Sequence, residues 1–447
     1  MRDSGTMITE ITGSFGRWQK LIFGSVFYIS VIGVWQNLSI TFLAPNVPFR
    51  CVNSTEECVT ANDTMPCSEW IYDNSETIVS QWDLVCDREW LISLAKSIYM
   101  VGFLISVITF GQISDWSNLK KIFIAVMEVI GERDREIVGI GVQLGWSVGF
   151  ASLAGVAYLF RHWFWFQLAM AIPILPIALA FFVLPESPRW LLMQGKVEKL
   201  DRILRRAAKM NRKEYKLKIT DFDHFQSHSL EKQKSLLDLF KTPRLRSRIL
   251  CMFYLWMVNS FMYYAMSYNT NDLAGDPYIN FTLAGVLEFP SYALLFWGVK
   301  KLGRRPTFVG FMIGGGIACI LMAIEIPSMP WVRTSLAMAG KFCVTSSFGL
   351  LYLYTTEIFP TVVRNVAIGS SSMMARIGSI MAPFVKELGR ATYPWVPDVV
   401  HGLLAISGGL LVFLLPETKG KSIPDTLQEG EQYELQVGVN QVPEVKH

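Results

Sequence analysis

Three charged residues in apolar surroundings carry the clearest chemistry in this sequence. Lys341 and Arg376 belong to residues 341–383, where two apolar spans flank the charged turn 357–365, and Glu288 lies in another apolar span. A charged side chain near the centre of a bilayer costs roughly 2.5 to 3.5 kcal/mol on insertion scales, so these residues are candidates for a functional site. Glu288 is a counter-ion for an ammonium group, whereas Lys341 and Arg376 suit a carboxylate.

The composition places these charges in a membrane protein. Of 447 residues, 51% are hydrophobic and only 17% are charged, which is typical of a chain that lies mostly in lipid. The formal net charge of +4 is too small to indicate a nucleic-acid partner, so the expected partner is the lipid bilayer. Residues 1–20 are polar and the first apolar run is long enough to stay as an anchor, so no cleavable signal peptide is predicted.

A helix needs about 20 mostly apolar residues to cross a bilayer, and ten stretches of the sequence meet that length. The apolar run 122–130 is too short to cross. The predicted spans are 20–43, 90–111, 137–159, 163–184, 248–270, 278–298, 306–327, 333–355, 366–388 and 397–415.

The distribution of Lys and Arg predicts the sidedness. Residues 196–218 hold ten of them, and Lys300, Lys301, Arg304 and Arg305 follow the sixth span, so the positive-inside rule places both segments in the cytoplasm. Both termini are then cytoplasmic, and the loop 44–89 lies outside. The predicted organisation is a cytoplasmic N-terminus 1–19, a first membrane half 20–184, a basic linker 185–247, a second membrane half 248–415 and a cytoplasmic tail 416–447.

The loop 44–89 has the features of an extracellular segment. It holds Cys51, Cys58, Cys67 and Cys86, and it contains glycosylation sequons at Asn53 and Asn62. Two disulfides are expected, with three pairings open, and the alternative is that the cysteines are buried thiols.

Motifs of soluble enzymes fail on their context. Gly145-Trp-Ser147-Val-Gly149 matches the nucleophile elbow, but that motif needs a strand-to-helix turn, and here it lies in a membrane-helix pattern. Small residues that let helices pack closely are the better interpretation. Gly420-Lys-Ser422 lacks the glycine that a phosphate loop requires at position 415. We expect no enzyme, no cofactor and no metal site.

The chain repeats itself weakly. Residues 111–115 and 299–306 end a span at the same face, and Pro-Glu motifs at 185–190 and 416–420 end the two halves. Paired motifs of this kind are typical of two internally repeated bundles, which favours a carrier with alternating access.

Together, these motifs resemble the major facilitator superfamily, and within it solute carrier family 22, the carriers of organic cations, organic anions and carnitine. The resemblance implies an all-α, multi-pass bundle in two halves in the plasma membrane. It runs along nearly the whole chain, through residues 81–87, 111–115, 126–128, 185–190, 303–305, 354–365 and 416–418.

Family members have twelve spans, which implies that one helix pair is missing here, between Asp115 and Glu128. Both flanks of the gap would lie at cytoplasmic helix ends, so the sidedness of the later spans is unchanged. Because the fourth helix of such carriers lines the central path, the alternative to a transporter is a truncated, non-transporting membrane isoform that binds or regulates a partner.

Charges at the cytoplasmic face are predicted to form a gate whose ion pairs hold the two halves closed. The alternative is that these residues only anchor the chain by the positive-inside rule. The predicted gate residues are Asp115, Glu128, Arg135, Glu186, Arg189, Arg304, Arg305, Glu357, Arg364 and Glu417.

The resemblance also implies a substrate site between the halves at the midplane. Its residues are Gln143, Trp146, Trp256, Tyr263, Tyr264, Glu288, Lys341, Tyr352 and Arg376. Aromatic faces attract ammonium groups by about 0.5 to 2 kcal/mol each, although helix packing is the alternative role for these rings.

Arg376 narrows the range of expected substrate classes. Carriers of monoamine-type cations have an acidic residue at this position, whereas anion and carnitine carriers have a basic one. A carnitine-like zwitterion therefore fits best, and a general organic cation is the second choice. Coupling to Na⁺, to an exchanged ion or to the membrane potential stays open. The tail 422–447 is polar and aperiodic and is predicted to be disordered.

Overall fold

A computed structural model describes residues 12–52, 69–116, 132–177, 195–215, 236–324 and 329–432, apart from a few isolated positions, together with 188 and 191. Of residues 110–116 and 132–140 only the backbone is described. The chain divides into two compact units, one of Met1–Ser39 with Ile105–Lys232 and one of Ile40–Leu104 with Gln233–His447.

The described chain is mostly helical, as predicted. Short 3-10 turns lie at Cys86–Arg88, Asn269–Asp272 and Val412–Leu414, and the strands are β1 (Phe49–Cys51) and β2 (Trp70–Tyr72). In chain order the helices are α1 (Arg17–Leu38), α2 (Ile40–Leu43), α3 (Ile78–Gln81), α4 (Trp90–Trp116), α5 (Glu132–Leu159), α6 (Trp163–Ala171), α7 (Val197–Met210), α8 (Leu236–Lys241), α9 (Pro243–Tyr268), α10 (Pro277–Val286), α11 (Glu288–Lys301), α12 (Arg304–Met322), α13 (Pro330–Ile358), α14 (Arg364–Met381), α15 (Phe384–Ala391), α16 (Val396–Leu411) and α17 (Leu427–Gln432).

Eight helices of the described chain are long and apolar enough to cross a membrane. Two predicted spans are not among these eight helices, for separate reasons. The span 163–184 is described only as a shorter apolar helix, Trp163–Ile177. The span 366–388 is divided between α14 and α15, and neither part meets the criterion of length and apolarity.

In the first unit, α1 packs along α5 through glycines. A Cβ atom at Gly145 would lie 3.1 Å from the carbonyl oxygen of Phe27, and one at Gly149 would lie 2.7 Å from that of Val31. Larger side chains would separate the helices at these points. The interpretation of the G-x-S-x-G motif as a helix-packing motif is therefore confirmed.

In the second unit, α9 is the central helix. It packs against α13, α14 and α16, while α12 packs against α13 and α16, and α11 packs against α13. Most residues of α9 are buried, including Trp256, Tyr263 and Tyr264. The core of this unit therefore surrounds the helix that carries three of the predicted site residues.

A proline interrupts the span formed by α10 and α11. Pro290 has no N–H to donate to the carbonyl of Val286, and the helix breaks at Leu287. Hydrogen bonding resumes from the Ser291 N–H to the Leu287 carbonyl, at 3.2 Å. The interruption places Glu288 at the start of α11 inside the unit.

A small sheet that the sequence did not predict lies in the loop 44–89. Strands β1 and β2 are antiparallel, with Cys51 opposite Trp70. Cys51 and Cys86 are each disulfide-bonded. The other predicted cysteines and sequons, Cys58, Cys67, Asn53 and Asn62, lie outside the described residues.

The prediction of disorder from residue 422 onward is wrong for α17. The Glu431 carboxylate accepts hydrogen bonds from the backbone N–H groups of Arg244, at 3.0 Å, and Leu245, at 3.2 Å. These groups belong to the first turn of α9, whose N-cap Thr242 makes no side-chain cap. The first N–H groups of a helix lack intrahelical partners, so the carboxylate stabilises this end.

Candidate functional site

A buried charge centre, formed by Tyr263, Ser267, Glu288 and Lys341, lies within the second unit. Glu288 is 1% exposed and Lys341 is 3% exposed. The Lys341 Nζ atom lies 3.6 Å from Glu288 Oε1, donates to Ser267 Oγ at 2.6 Å, and stands 3.3 Å from the centroid of the Tyr263 ring. The Tyr263 hydroxyl donates to the same carboxylate oxygen at 2.7 Å.

Three helices position this centre. Tyr263 and Ser267 lie one turn apart on α9, and the Ser267 hydroxyl also donates to the Tyr263 carbonyl at 2.6 Å. Glu288 begins α11 after the proline break, and the Ser291 hydroxyl donates to its carbonyl at 2.7 Å. Lys341 comes from α13. Hydrogen bonds to neighbouring side chains offset part of the cost of burying such a pair, and here Ser267 and Tyr263 form them.

Aromatic rings continue from the buried charge centre along α9 and α13. The centroid of Phe348 lies 5.8 Å from that of Tyr263, 5.9 Å from that of Trp256 and 5.8 Å from that of Tyr352. The Trp256 and Tyr352 centroids are 4.5 Å apart in an edge-to-face contact. The Trp256 Nε1–H donates to Thr355 Oγ1 at 3.1 Å. The structure thus brings three predicted rings together around Phe348, which the sequence analysis missed.

Arg376 lies beside this aromatic cluster on α14. Its guanidinium stands 4.1 Å from the centroid of the Phe103 ring and lies next to the Tyr264 hydroxyl. The Tyr264 and Tyr263 rings are 5.5 Å apart, which links Arg376 to the buried charge centre. Among the described atoms, the buried Nε of Arg376 has no hydrogen-bond acceptor. Such a donor is available to an anionic group.

Seven of the nine predicted substrate-site residues therefore lie in the second unit. The other two, Gln143 and Trp146, lie half-buried on α5 in the first unit. Phe103, Ser267 and Phe348 were missed because apolar and hydroxyl residues are common in every span and carry no distinctive signal.

A second cluster, the Glu357 cluster, joins the start of α12, the end of α13 and the segment after α16 through Arg304, Glu357, Glu417 and Thr418. Arg304 donates to both Glu357 carboxylate oxygens, at 2.7 Å from Nη2 and 2.9 Å from Nε. The Thr418 hydroxyl donates to Glu357 Oε2 at 2.5 Å. This cluster lies entirely in the second unit.

Glu417 completes the Glu357 cluster by capping α12. Its carboxylate accepts from the backbone N–H groups of Arg304 and Arg305, each at 2.9 Å. Burial would raise the pKa of the Glu417 carboxyl, but four backbone N–H donors outweigh it and hold the pKa below its usual value. Gly303 has φ of +107°, and a Cβ there would lie 2.9 Å from Glu417 Oε2, so glycine is required.

The other predicted gate residues are dispersed. Arg305 donates to the Phe413 carbonyl at 2.5 Å, and Arg364 begins α14. Asp115 on α4 and Arg135 on α5 belong to the segments whose backbone alone is described. Glu128, Glu186 and Arg189 lie outside the described residues. A gate between the halves stays a prediction.

A third cluster, the Lys386 network, was missed by the sequence analysis. Lys386 Nζ lies 3.3 Å from Asp272 Oδ1, 3.0 Å from Asn46 Oδ1 and 3.9 Å from Glu89 Oε1. Arg390 pairs with Glu89. These residues all lie in the second unit, and the charges on α15 were the available signal, which the span assignment 366–388 obscured.

Comparison with known proteins decides the family. Residues 132–427 match the family described as "Sugar (and other) transporter". The "Organic cation transporter protein" of Drosophila melanogaster is 33% identical to the chain, with 96% of this chain and 94% of that protein aligned. "Solute carrier family 22 member 3" of Rattus norvegicus is 32% identical over 82% of this chain and 74% of that protein. The chain belongs to solute carrier family 22 of the major facilitator superfamily. The "Beta-alanine transporter" of Drosophila melanogaster, another relative, is 33% identical over 82% of this chain and 69% of that protein.

The fold of this solute carrier agrees with that assignment. The structure titled "Inward open conformation of the xylose transporter XylE from E. coli" matches with a TM-score of 0.55 at 14% identity, covering 94% of this chain and 98% of that one. This likeness shows a major facilitator fold.

The alignment to the fly organic cation transporter protein also bears on the predicted missing helix pair. It is 521 positions long, whereas 96% of 447 residues is about 429, so about 92 aligned positions have no counterpart in this chain. Two membrane helices need about 40 residues, so the shortfall is large enough to include such a pair. The proposed position of the gap, 115–128, lies mostly outside the described residues.

Proposed function

We propose that this solute carrier moves small organic ions across the plasma membrane by alternating access, with its substrate site at the buried charge centre. The observation that carries the proposal is the buried Glu288–Lys341 pair, 3.6 Å apart, with the Tyr263 ring against the lysine. Ionisable residues inside membrane spans mark substrate or ion paths more often than structural positions. The printed names of the relatives, an organic cation transporter and a beta-alanine transporter, support the same class of substrate.

The preferred substrate is a zwitterion of the carnitine type. Glu288 and the face of Tyr263 suit an ammonium group, while Lys341 and Arg376 suit a carboxylate. A site that holds both signs of charge neutralises both ends of a zwitterion. An organic cation is the alternative substrate, since Glu288 and the rings alone can hold it.

The remaining features of the proposal come from the sequence. Both termini lie in the cytoplasm, the loop 44–89 is extracellular, and transport is coupled to Na⁺, to an exchanged ion or to the membrane potential. The loop carries two disulfides among Cys51, Cys58, Cys67 and Cys86 and glycans at Asn53 and Asn62. The proposed cytoplasmic gate consists of Asp115, Glu128, Arg135, Glu186, Arg189, Arg304, Arg305, Glu357, Arg364 and Glu417.

A second candidate function is a membrane protein that binds organic ions or a partner without transporting. Two observations favour it. The charge centre and its rings lie wholly in the second unit, and the relatives have aligned positions that this chain lacks. Binding would then survive a loss of transport.

Uptake into cells that express the full chain tests the first function. Saturable uptake of labelled carnitine is expected, with at least about a tenfold loss in Glu288→Ala and in Arg376→Ala, each of which removes a charge-assisted contact. The matched control is Lys241→Ala, which removes a lysine whose side chain is 74% exposed. Surface labelling of each variant corrects for its amount in the membrane.

The outcomes separate the two functions. If both site variants transport like the parent, the site assignment is wrong. If the parent reaches the surface and takes up no organic ion, while the purified chain binds carnitine in a Glu288-dependent way, the non-transporting function holds.

A further inference from the structure

Lys341 is held as an organic ammonium ligand is held. Its Nζ atom faces an aromatic ring at 3.3 Å from the centroid, a carboxylate oxygen at 3.6 Å and a hydroxyl oxygen at 2.6 Å. Ring face, carboxylate and hydroxyl are the groups that recognise alkylammonium ions. The three partners, Tyr263, Glu288 and Ser267, thus form an ammonium subsite that the protein's own side chain occupies.

The walls of this subsite are fixed by contacts that do not involve Lys341. The Tyr263 hydroxyl holds Glu288 Oε1 at 2.7 Å, and the Ser267 hydroxyl is anchored on the Tyr263 carbonyl at 2.6 Å. The Ser291 hydroxyl holds the Glu288 carbonyl at 2.7 Å. Because these bonds do not involve Lys341, the carboxylate, the ring and the hydroxyl remain available to another ammonium group when the lysine moves.

Room for the lysine to move lies next to it. A cavity of about 60 Å³ between α9, α12, α13 and α16 is lined by Lys341, Thr270, Ala337 and Asp398. Lys341 has a flexible four-carbon stem. The Asp398 carboxylate, which also pairs with Arg333 at 3.5 Å, gives its ammonium a polar partner on the cavity wall. A shift of Nζ from Glu288 toward this cavity vacates the subsite without exposing the charge to lipid.

We propose that Lys341 is a tethered cation that occupies the ammonium subsite, so that a substrate must displace it, and that this displacement makes the carrier prefer zwitterions to simple cations. The inference rests on the proposed function. A cation without a carboxylate competes with Lys341 for Glu288, and it supplies no counter-ion for the displaced lysine. A zwitterion brings its own carboxylate, which pairs with the displaced Lys341.

Choline and glycine betaine are the matched probes, because both carry a trimethylammonium head and only betaine carries a carboxylate. Their dissociation constants are measured by calorimetry on the purified full chain in detergent. The parent is expected to bind betaine at least about tenfold more tightly than choline, the effect of one charge-assisted contact. Lys341→Met should reverse this order of affinities: choline binding should become about tenfold tighter and betaine binding about tenfold weaker. Lys341→Arg, which keeps the charge, should preserve the parent's order.

Two controls separate displacement from general damage. Lys241→Met removes an exposed lysine and should leave both constants unchanged. Ala337→Leu fills the cavity, so in the parent it should weaken choline binding about tenfold. In the Lys341→Met background, where no lysine must move, the same substitution should leave choline binding unchanged. This variant tests the inference in the parent even if Lys341→Met does not fold.

The outcomes are distinguishable from failure of the proposed function. If the parent binds betaine and Glu288→Gln abolishes it, but Lys341→Met leaves the ratio of the two constants unchanged, the displacement inference is overturned while the site stands. Unchanged choline binding in Ala337→Leu also overturns it. If the parent binds neither probe, both the proposed site and the inference are refuted.

Discussion

Neutralising one member of the Glu288–Lys341 pair is expected to destabilise the protein more than neutralising both. The two side chains are 1% and 3% exposed, with 3.6 Å between Nζ and Oε1. Removing one partner of a buried pair costs about 3 to 5 kcal/mol because the other charge stays buried, whereas replacing both with neutral groups of similar shape costs little. Glu288→Gln should therefore lower the free energy of unfolding by about 3 kcal/mol, and adding Lys341→Met should recover most of that loss.

Thermal unfolding of the purified full chain in detergent measures this effect. A thiol-reactive dye reports the transition, because Cys251 and Cys319 are free and buried in the folded protein. The matched control is the Asp238–Lys241 pair on α8, at 3.0 Å with side chains 29% and 74% exposed. Exposed pairs contribute about 0 to 1 kcal/mol, so neutralising either member there should change stability by no more than that.

The double variant decides the outcome. If Glu288→Gln and Lys341→Met lower the unfolding temperature additively, the two charges do not compensate each other in the folded protein. The assignment of a buried ion pair at the centre of the site would then be wrong.

Three further predictions concern other contacts. Glu431→Ala removes the cap of α9 and should cost about 0.5 to 2 kcal/mol of unfolding free energy, measured by the same thermal assay. Gly149→Ala places a Cβ 2.7 Å from the Val31 carbonyl oxygen and should cost about 1 to 3 kcal/mol, whereas Gly155→Ala, with nothing within 4 Å of its Cβ, should be neutral or stabilising. The Glu417 carboxyl has its folded-state pKa lowered from about 4.5, so the stability that it contributes is fully present above that value and is lost as the pH falls through the folded-state pKa. The difference in unfolding temperature between the parent and Glu417→Gln should therefore shrink on acidification from pH 6.

For each of these three predictions, one result would contradict it. Equal unfolding temperatures for Glu431→Ala and the parent would show that α17 does not cap α9 in solution. Equal effects of Gly149→Ala and Gly155→Ala would contradict the close approach of α1 and α5. A difference for Glu417→Gln that is the same at every pH would mean that the carboxylate charge is not what caps α12.

The spans and the family motifs were predictable because they depend on local properties. An apolar stretch of about 20 residues favours a membrane helix wherever it lies in the chain. The G-x-S-x-G stretch of α5 was interpreted correctly for the same reason, since its helical context excluded a strand-to-helix turn. By contrast, the sequence did not predict that the stretch 366–388 is divided between α14 and α15. Nor did it predict that Lys386 and Arg390 on α15 join an ion-pair network.

Long-range contacts were beyond the sequence. Glu431 caps a helix that begins almost two hundred residues earlier in the chain, so no local pattern marked α17 as ordered. The Glu357 cluster joins three predicted gate residues within one unit, and Thr418 and the backbone N–H groups of α12 supply the rest of its contacts. The sequence shows where charged residues of this kind lie in the chain, but it does not show which groups they contact.

By itself, the sequence determined which residues of the membrane spans carry charge, because the cost of placing an ionisable group in lipid does not depend on the fold. It therefore singled out Glu288, Lys341 and Arg376. Only the tertiary structure decided which groups they face. Lys341 lies against Glu288 and Tyr263, while Arg376 lies against Phe103 and Tyr264. The physical reason is that ion pairs and cation–ring contacts form only within a few ångströms, and the packing of α9, α11, α13 and α14 sets those distances.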